Sequence, residues 1–168
     1  MTDSPLALVL PDIRSAQNVG AMLRTADAAG VALVVTCGYT PRRQQTEADA
    51  RPPHVVAANA RALAKTALGA EMTVPQRHFD TFAEAVSYLH KHNYNVIALE
   101  QAEGAADLFQ QLPPGPVALV VGNEVTGLDP AALSLCDAAT QLPMLGTKES
   151  LNVAVAAGIA LYQLRFGR

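Results

Sequence analysis

Short apolar runs recur along this chain, several of them with no polar break, and each stops at a turn residue or a charge. Leu6–Leu10 ends at Pro11-Asp12, Val31–Val35 ends before Gly38, Val96–Leu99 meets Glu100, and Val117–Val121 meets Gly122-Asn123. Ala138–Leu142 stops at Pro143, and Met72–Val74 is a weaker run of the same kind. A strand wetted on one face alternates apolar and polar residues, whereas a strand covered on both faces does not, so these runs read as buried strands. Between them lie stretches with helical spacing, over about 18–29, 55–68, 80–92, 130–136 and 150–165. Strand and helix in alternation imply an α/β fold, with a mostly parallel sheet and helices on both faces.

A length of 168 residues bounds the chain to a single domain over 1–168, and 50% hydrophobic residues against 16% charged ones suffice for a core. Cys37 and Cys136 lie far apart with no CxxC pair, which argues against a zinc knuckle or a disulfide-stapled module and for a reducing, cytoplasmic setting. No apolar run approaches the roughly 18 residues of a membrane span, and no targeting pattern opens the chain. No GxGxxG follows the first run and no GxxxxGK[ST] occurs, so dinucleotide and P-loop chemistry lose support. His54, His78, His90 and His92 include one close pair, His90 and His92, whose spacing does not share a helix face. They read as surface histidines, and no metal is expected.

Charge narrows the partners. Twelve Lys+Arg against fifteen Asp+Glu leave a net −3, which argues against a domain held to nucleic acid by bulk positive charge. The balance is uneven, however. Arg42 to Lys65 holds five basic residues (Arg42, Arg43, Arg51, Arg61, Lys65) against Glu47 and Asp49, a local +3, so the remainder carries −6. Part of this stretch is a long irregular segment from Gly38 to about Pro53, a length that in a compact domain marks either a functional loop or a disordered one. A solvated loop and helix face is the plainer reading.

Ligands of open α/β sheets bind beyond the carboxyl ends of the strands, and three polar segments fall there. In Asn18-Val19-Gly20-Ala21-Met22-Leu23-Arg24-Thr25, Asn18 is a candidate helix N-cap, and Gly20 leaves a track along which the Arg24 side chain can lean back toward the ligand edge. Alternatively, Asn18 only caps and Arg24 pairs with Asp27. In Leu119-Val120-Val121-Gly122-Asn123-Glu124-Val125-Thr126-Gly127-Leu128, a buried strand ends in glycine and presents a carboxylate, a weak signal when taken as a generic turn. In Leu142-Pro143-Met144-Leu145-Gly146-Thr147-Lys148-Glu149-Ser150-Leu151-Asn152, a loop runs into an Ala- and Gly-rich helix expected to open at Ser150. That helix N-terminus attracts electron-rich groups, or simply completes the core.

In this order and at these spacings the three segments resemble the three motifs of the SpoU (TrmH) branch of the SPOUT RNA methyltransferases: N-x-G-x-x-x-R-T, G-x-E-x-x-G-L after a strand, and P-M-x-G-x-x-x-S-L-N-V. The likeness runs from Asp12 to about Gln163 and includes Lys65-Thr66-Ala67-Leu68-Gly69-Ala70-Glu71; Ala154 departs from it, standing where many members have a second serine. The resemblance implies transfer of a methyl group from S-adenosylmethionine to a ribose 2′-OH, a deep trefoil knot over about 117–161, and a homodimer with a shared active site. It places Asn18, Arg24, Glu124, Ser150 and Asn152 in the active site. The cofactor would rest against Gly122, Leu142 and Leu151, with Leu99, Asn123, Glu124, Met144, Gly146 and Asn152 around it. Arg24 is often described in this branch as the base, yet an arginine is effectively always protonated, so the reading preferred here is that it binds phosphate and stabilises charge on the 2′-oxygen.

If RNA is the substrate, Arg14, Arg24, Arg42, Arg43 and Arg51 form the expected track, and nine Arg against three Lys suits bidentate phosphate contacts. The first run starts at about residue 6 and leaves no separate RNA-binding domain, so recognition is expected from the catalytic domain, with a tRNA loop favoured over an rRNA site. The rivals are a non-catalytic member that binds RNA or cofactor, a knotted enzyme that methylates a base, and a flavodoxin-like nucleotide or flavin binder. The last explains none of the three motifs.

Overall fold

A computed structural model describes residues 4–43 and 51–167. In chain order the elements are β1 (Leu6–Pro11), α1 (Ala16–Ala28), β2 (Leu33–Cys37), α2 (Pro53–Ala67), α3 (Ala70–Thr73), β3 (Gln76–Phe79), α4 (Phe82–Lys91), β4 (Asn95–Leu99), β5 (Ala106–Asp107), β6 (Val117–Val121), α5 (Pro130–Ser134), β7 (Ala138–Gln141) and α6 (Val153–Phe166). The strands form one sheet in the order β3-β2-β1-β6-β4-β7-β5, and every pairing is parallel. All strands therefore end on one edge, and the loops after β1, β2, β4, β6 and β7 gather there.

The unbroken apolar runs are explained by two cores, one on each face. Leu6, Leu8 and Leu10 of β1, with Val117, Leu119 and Val121 of β6, pack under α1, α2 and α6. The intervening Ala7, Val9, Ala118 and Val120 pack under α4 and α5. Side chains alternate faces along a strand, so a strand buried on both sides must be apolar at every position.

Four local expectations change. Met72–Val74 is the end of α3 and the bend after it, and the neighbouring strand is the polar Gln76-Arg77-His78-Phe79. This is an edge strand, half-exposed, and it has no need of an apolar run. β2 starts two residues later than Val31, because Gly30 (φ 65°) and Val31 close α1, with the Val31 N–H donating to the Ala26 carbonyl. The first helix is capped by Ser15, whose hydroxyl accepts from the Asn18 N–H, so Asn18 lies inside the helix. The last helix is capped by Asn152, whose Oδ1 accepts from the Ala154 and Val155 N–H groups, so it does not open at Ser150. In both places two capping residues lie within three positions of each other, and packing chooses between them.

Candidate active site

A cavity of about 550 Å³ opens at the carboxyl edge of the sheet, among the loops after β4, β6 and β7. The β6 loop is rigid by construction. Gly127 adopts φ 65°, and the Asn123 and Gly127 backbones exchange two hydrogen bonds, at 3.2 and 2.9 Å. A Cβ on Gly122 would stand 2.6–2.8 Å from the backbone of Gly127 and Leu128, so only glycine fits. Inside the turn, the Asn123 Oδ1 accepts from the Val125 N–H at 2.9 Å.

This turn aims Glu124 at the start of α1. Its carboxylate accepts from the Arg14 N–H at 2.9 Å, the Ser15 N–H at 3.0 Å and the Asn18 Nδ2 at 3.0 Å. Burial pushes the Glu124 carboxyl up, but the hydrogen bonds from Arg14, Asn18 and Ser15 outweigh it and hold the group below the ordinary carboxylate range. The Asn18 Oδ1 in turn accepts from the Asn152 Nδ2 at 3.2 Å, and the Asn152 Oδ1 caps α6. One residue from each motif thus joins a single chain of hydrogen bonds, Glu124 to Asn18 to Asn152, and this order fixes which way both amides point. Ala154 joins through its backbone N–H, while its methyl packs against the core, so the missing hydroxyl leaves the cap intact.

Of the residues assigned to the site, Asn18, Leu99, Gly122, Asn123, Glu124, Leu142, Met144, Ser150, Leu151 and Asn152 line this cavity, and Gly146 does not. The sequence reading missed Gln101, which donates to the Leu142 carbonyl at 2.7 Å, and Glu100, which accepts from the Leu128 N–H at 2.9 Å; together they tie the β7 and β6 loops to the end of β4. A carboxylate directly after a buried strand was the available signal. None of the backbone N–H groups from Met144 through Asn152 donates within the described chain, which leaves them free for a ligand. Among the described residues, the lining includes the carboxylates of Glu100 and Glu124 and no basic side chain.

Arg24 lies elsewhere. It lines a second cavity, of about 540 Å³, between α1, α2 and α6, with Lys65, Thr66 and Tyr162. Neither Arg24 nor Lys65 has a hydrogen bond or ion pair among the described residues, and Asp27 accepts from Thr73 instead of pairing with Arg24. Gly20 opens no track for Arg24: a Cβ there would collide with Thr66 Oγ1 and stand 2.7 Å from the Leu63 carbonyl oxygen. That glycine is the close contact of α1 with α2.

The basic stretch is only partly described, since Glu47 and Asp49 fall outside the described residues. Arg51 donates to the Arg42 and Arg43 carbonyls at 3.0 and 3.2 Å, so its guanidinium is engaged with the backbone there. Arg43 reaches the Glu71 carbonyl at 3.4 Å. Arg14 is exposed beside the Glu124 junction. His78 is not a surface residue: it is half-buried in β3, its Nδ1 lies 3.0 Å from Thr36 Oγ1, and burial, followed by the Arg42 charge, lowers its pKa. Among the described residues no three His, Cys, Asp or Glu side chains converge on a metal-sized site, and no helix is long and apolar enough to cross a membrane.

Residues 5–162 match the SpoU rRNA Methylase family. The 23S rRNA (guanosine-2'-O-)-methyltransferase RlmB of Yersinia pestis is 34% identical over 164 residues, covering 96% of this chain and 59% of that protein. The chain thus spans about three fifths of the curated relatives it matches. An AdoMet-bound rRNA methyltransferase from Sinorhizobium meliloti superposes with TM-score 0.77 at 25% identity, over 98% of this chain and 57% of the other. A structure described as giving insights into the 2-OH methylation of C/U34 on tRNA superposes with TM-score 0.74 at 27% identity, over 99% of this chain and 92% of the other.

Proposed function

The chain belongs to the SpoU rRNA Methylase family, and from that premise we propose that it is an S-adenosylmethionine-dependent methyltransferase acting on a ribose 2′-OH of tRNA or rRNA in the cytoplasm. The observation that carries this reading is the hydrogen-bonded chain Glu124–Asn18–Asn152, which joins the three motifs at the rim of a cofactor-sized cavity.

The cavity fits the cofactor by its chemistry. Leu99, Val121, Leu142 and Ala156 supply apolar walls for a purine, the Met144–Asn152 backbone supplies unused donors, and Glu100 and Glu124 favour a cation. When bound, S-adenosylmethionine supplies a methyl group on a positively charged sulfonium. Gly122, Leu142 and Leu151 would hold it, and Asn18 and Asn152 would orient the ribose beside it. Displacement at carbon needs in-line placement of the 2′-oxygen, so this fixed scaffold accounts for much of the rate. Arg24 binds a phosphate and stabilises the developing 2′-oxyanion.

Arg24 does not line the cofactor cavity of its own chain, which supports a homodimer in which it serves the site shared with the partner. The exposed apolar residues Val155, Ile159, Tyr162 and Phe166 on α6 support the same arrangement. We propose, further, a single catalytic domain over residues 1–168, with a trefoil knot over about 117–161. In support of the knot, β4 lies between β6 and β7 in the sheet, and the loops after both strands are tied to Glu100 and Gln101. Arg14, Arg42, Arg43 and Arg51 supply the charge of the RNA track. Labelled methyl transfer to total RNA from a strain lacking this protein, with the product nucleoside mapped, tests the function. A 2′-O-methyl nucleoside is the expected product, and a methylated base or no transfer overturns it.

A further inference from the structure

The turn Asn123–Gly127 has a second side, away from the cofactor cavity. A smaller cavity of about 330 Å³ lies there, with Tyr39 and Phe82 on its walls. Tyr39 is 61% exposed, although a large ring normally seeks cover. It is nevertheless tied at both ends. Its hydroxyl accepts from the Asn123 Nδ2 at 2.8 Å, and its backbone N–H donates to the Asp12 Oδ1 at 3.2 Å. Asn123 is itself held by the Asp12 carbonyl at 2.5 Å and by the turn it closes. The ring is thus fixed in orientation, exposed, and stacked on no other ring among the described residues.

Its surroundings define what it can take. Arg42 and Arg43 follow three and four residues later in the chain. The cavity itself carries the carboxylates of Asp12 and Asp129. One oxygen of each is used, by the Tyr39 and Ala132 N–H groups, and the other oxygen of each has no hydrogen-bond partner among the described residues. Carboxylates repel phosphate and accept from amino groups, so the cavity suits a neutral ring that carries N–H donors. Single-stranded RNA is held by aromatic faces on which bases stack and by cations that take the backbone, and here the exposed ring is followed in the chain by two arginines.

We propose that Tyr39 is a stacking platform for an unpaired, amino-bearing base of the substrate RNA, an inference that rests on the RNA methyltransferase reading. Two short single-stranded RNAs of equal length serve as probes, oligoadenylate and oligouridylate, both labelled at one end for affinity, with a separate oligoadenylate carrying one 2-aminopurine for the quenching readout. Tyr39→Ala weakens oligoadenylate binding about tenfold, reduces the quenching of 2-aminopurine, and leaves the salt slope unchanged. Tyr39→Phe, which keeps the ring, retains most of the affinity, and Arg42→Ala flattens the salt slope instead. Thermal unfolding and calorimetry with S-adenosylmethionine establish that each variant is folded.

Unchanged affinity in Tyr39→Ala, or a loss in Tyr39→Phe equal to that in Tyr39→Ala, overturns the platform. Equal binding of the two probes by the unmutated protein overturns the amino-bearing base. If the unmutated protein methylates RNA while its affinity ignores Tyr39, the platform alone fails. If it neither binds RNA nor transfers methyl, the reading beneath it fails as well.

Discussion

The cavities at the sheet edge and between α1, α2 and α6 are almost equal in volume, about 550 and 540 Å³, yet they are built in opposite ways. At the sheet edge, Glu124, Asn18, Asn152, Asn123, Glu100 and Gln101 all hold specified hydrogen bonds, and among the described residues the charges lining it are carboxylates. Between the helices, Arg24 and Lys65 stand without partners among the described residues, beside the exposed ring of Tyr162. The first site is organised before any ligand arrives; the second offers unsatisfied cations and apolar surface. That difference fits a small cationic cofactor in one and a polyanion or a second copy of the chain at the other. Preorganised groups cost little reorganisation when the ligand binds, whereas an arginine meant for phosphate must stay uncommitted until it comes.

The largest effect is expected from Arg24→Ala. Turnover should fall by about 10²–10³-fold or more, while calorimetry shows unchanged cofactor binding. Mixing this variant with Gly122→Ala chains sharpens the comparison. Recovered activity means that Arg24 works across a dimer of this chain; no recovery returns it to its own chain's cavity.

Gly122→Ala should break the other site. Its Cβ must displace the Gly127 and Leu128 backbone, so unfolding stability drops by about 1–3 kcal/mol and cofactor affinity falls with it. Wild-type cofactor affinity in this variant would show that the turn is not the rigid element described.

Smaller is the coupling between Asn18 and Asn152. A double-mutant cycle with alanine at each position should give about 0.5–1.5 kcal/mol in unfolding experiments, and additivity would mean that their 3.2 Å contact is idle. The smallest effect concerns acid. The folded-state pKa of Glu124 is depressed, so its contribution is present above the ordinary carboxylate pKa and lost as pH falls through the folded value. The difference in melting temperature between wild type and Glu124→Gln should hold steady near neutrality and shrink on acidification. A difference that grows in acid would reverse the sign assigned to this group.

Much of this was legible in the residue order. β1, β4 and β6 could be read because burial on both faces demands apolar residues along them. β3 could not, since an edge strand carrying Arg77 and His78 obeys no such demand. The motif spacing pointed to Asn18, Glu124 and Asn152, but not to which residue caps which helix. Ser15 and Asn18, like Ser150 and Asn152, are competent caps a few residues apart, and the choice depends on what the neighbouring loop presents. The neighbour of Gly20 is not legible for a related reason: Thr66, the residue it accommodates, lies on another helix.

By itself, then, the sequence determined the strand–helix alternation, the parallel class and the three motif segments, because local periodicity and fixed spacing depend on nothing beyond the chain nearby. The tertiary structure alone decided that Glu124 meets Asn18 across 106 residues, and that Arg24 turns away from both. A side chain's partner is set by the register of the sheet and the packing of the helices on it, and those are properties of the whole core.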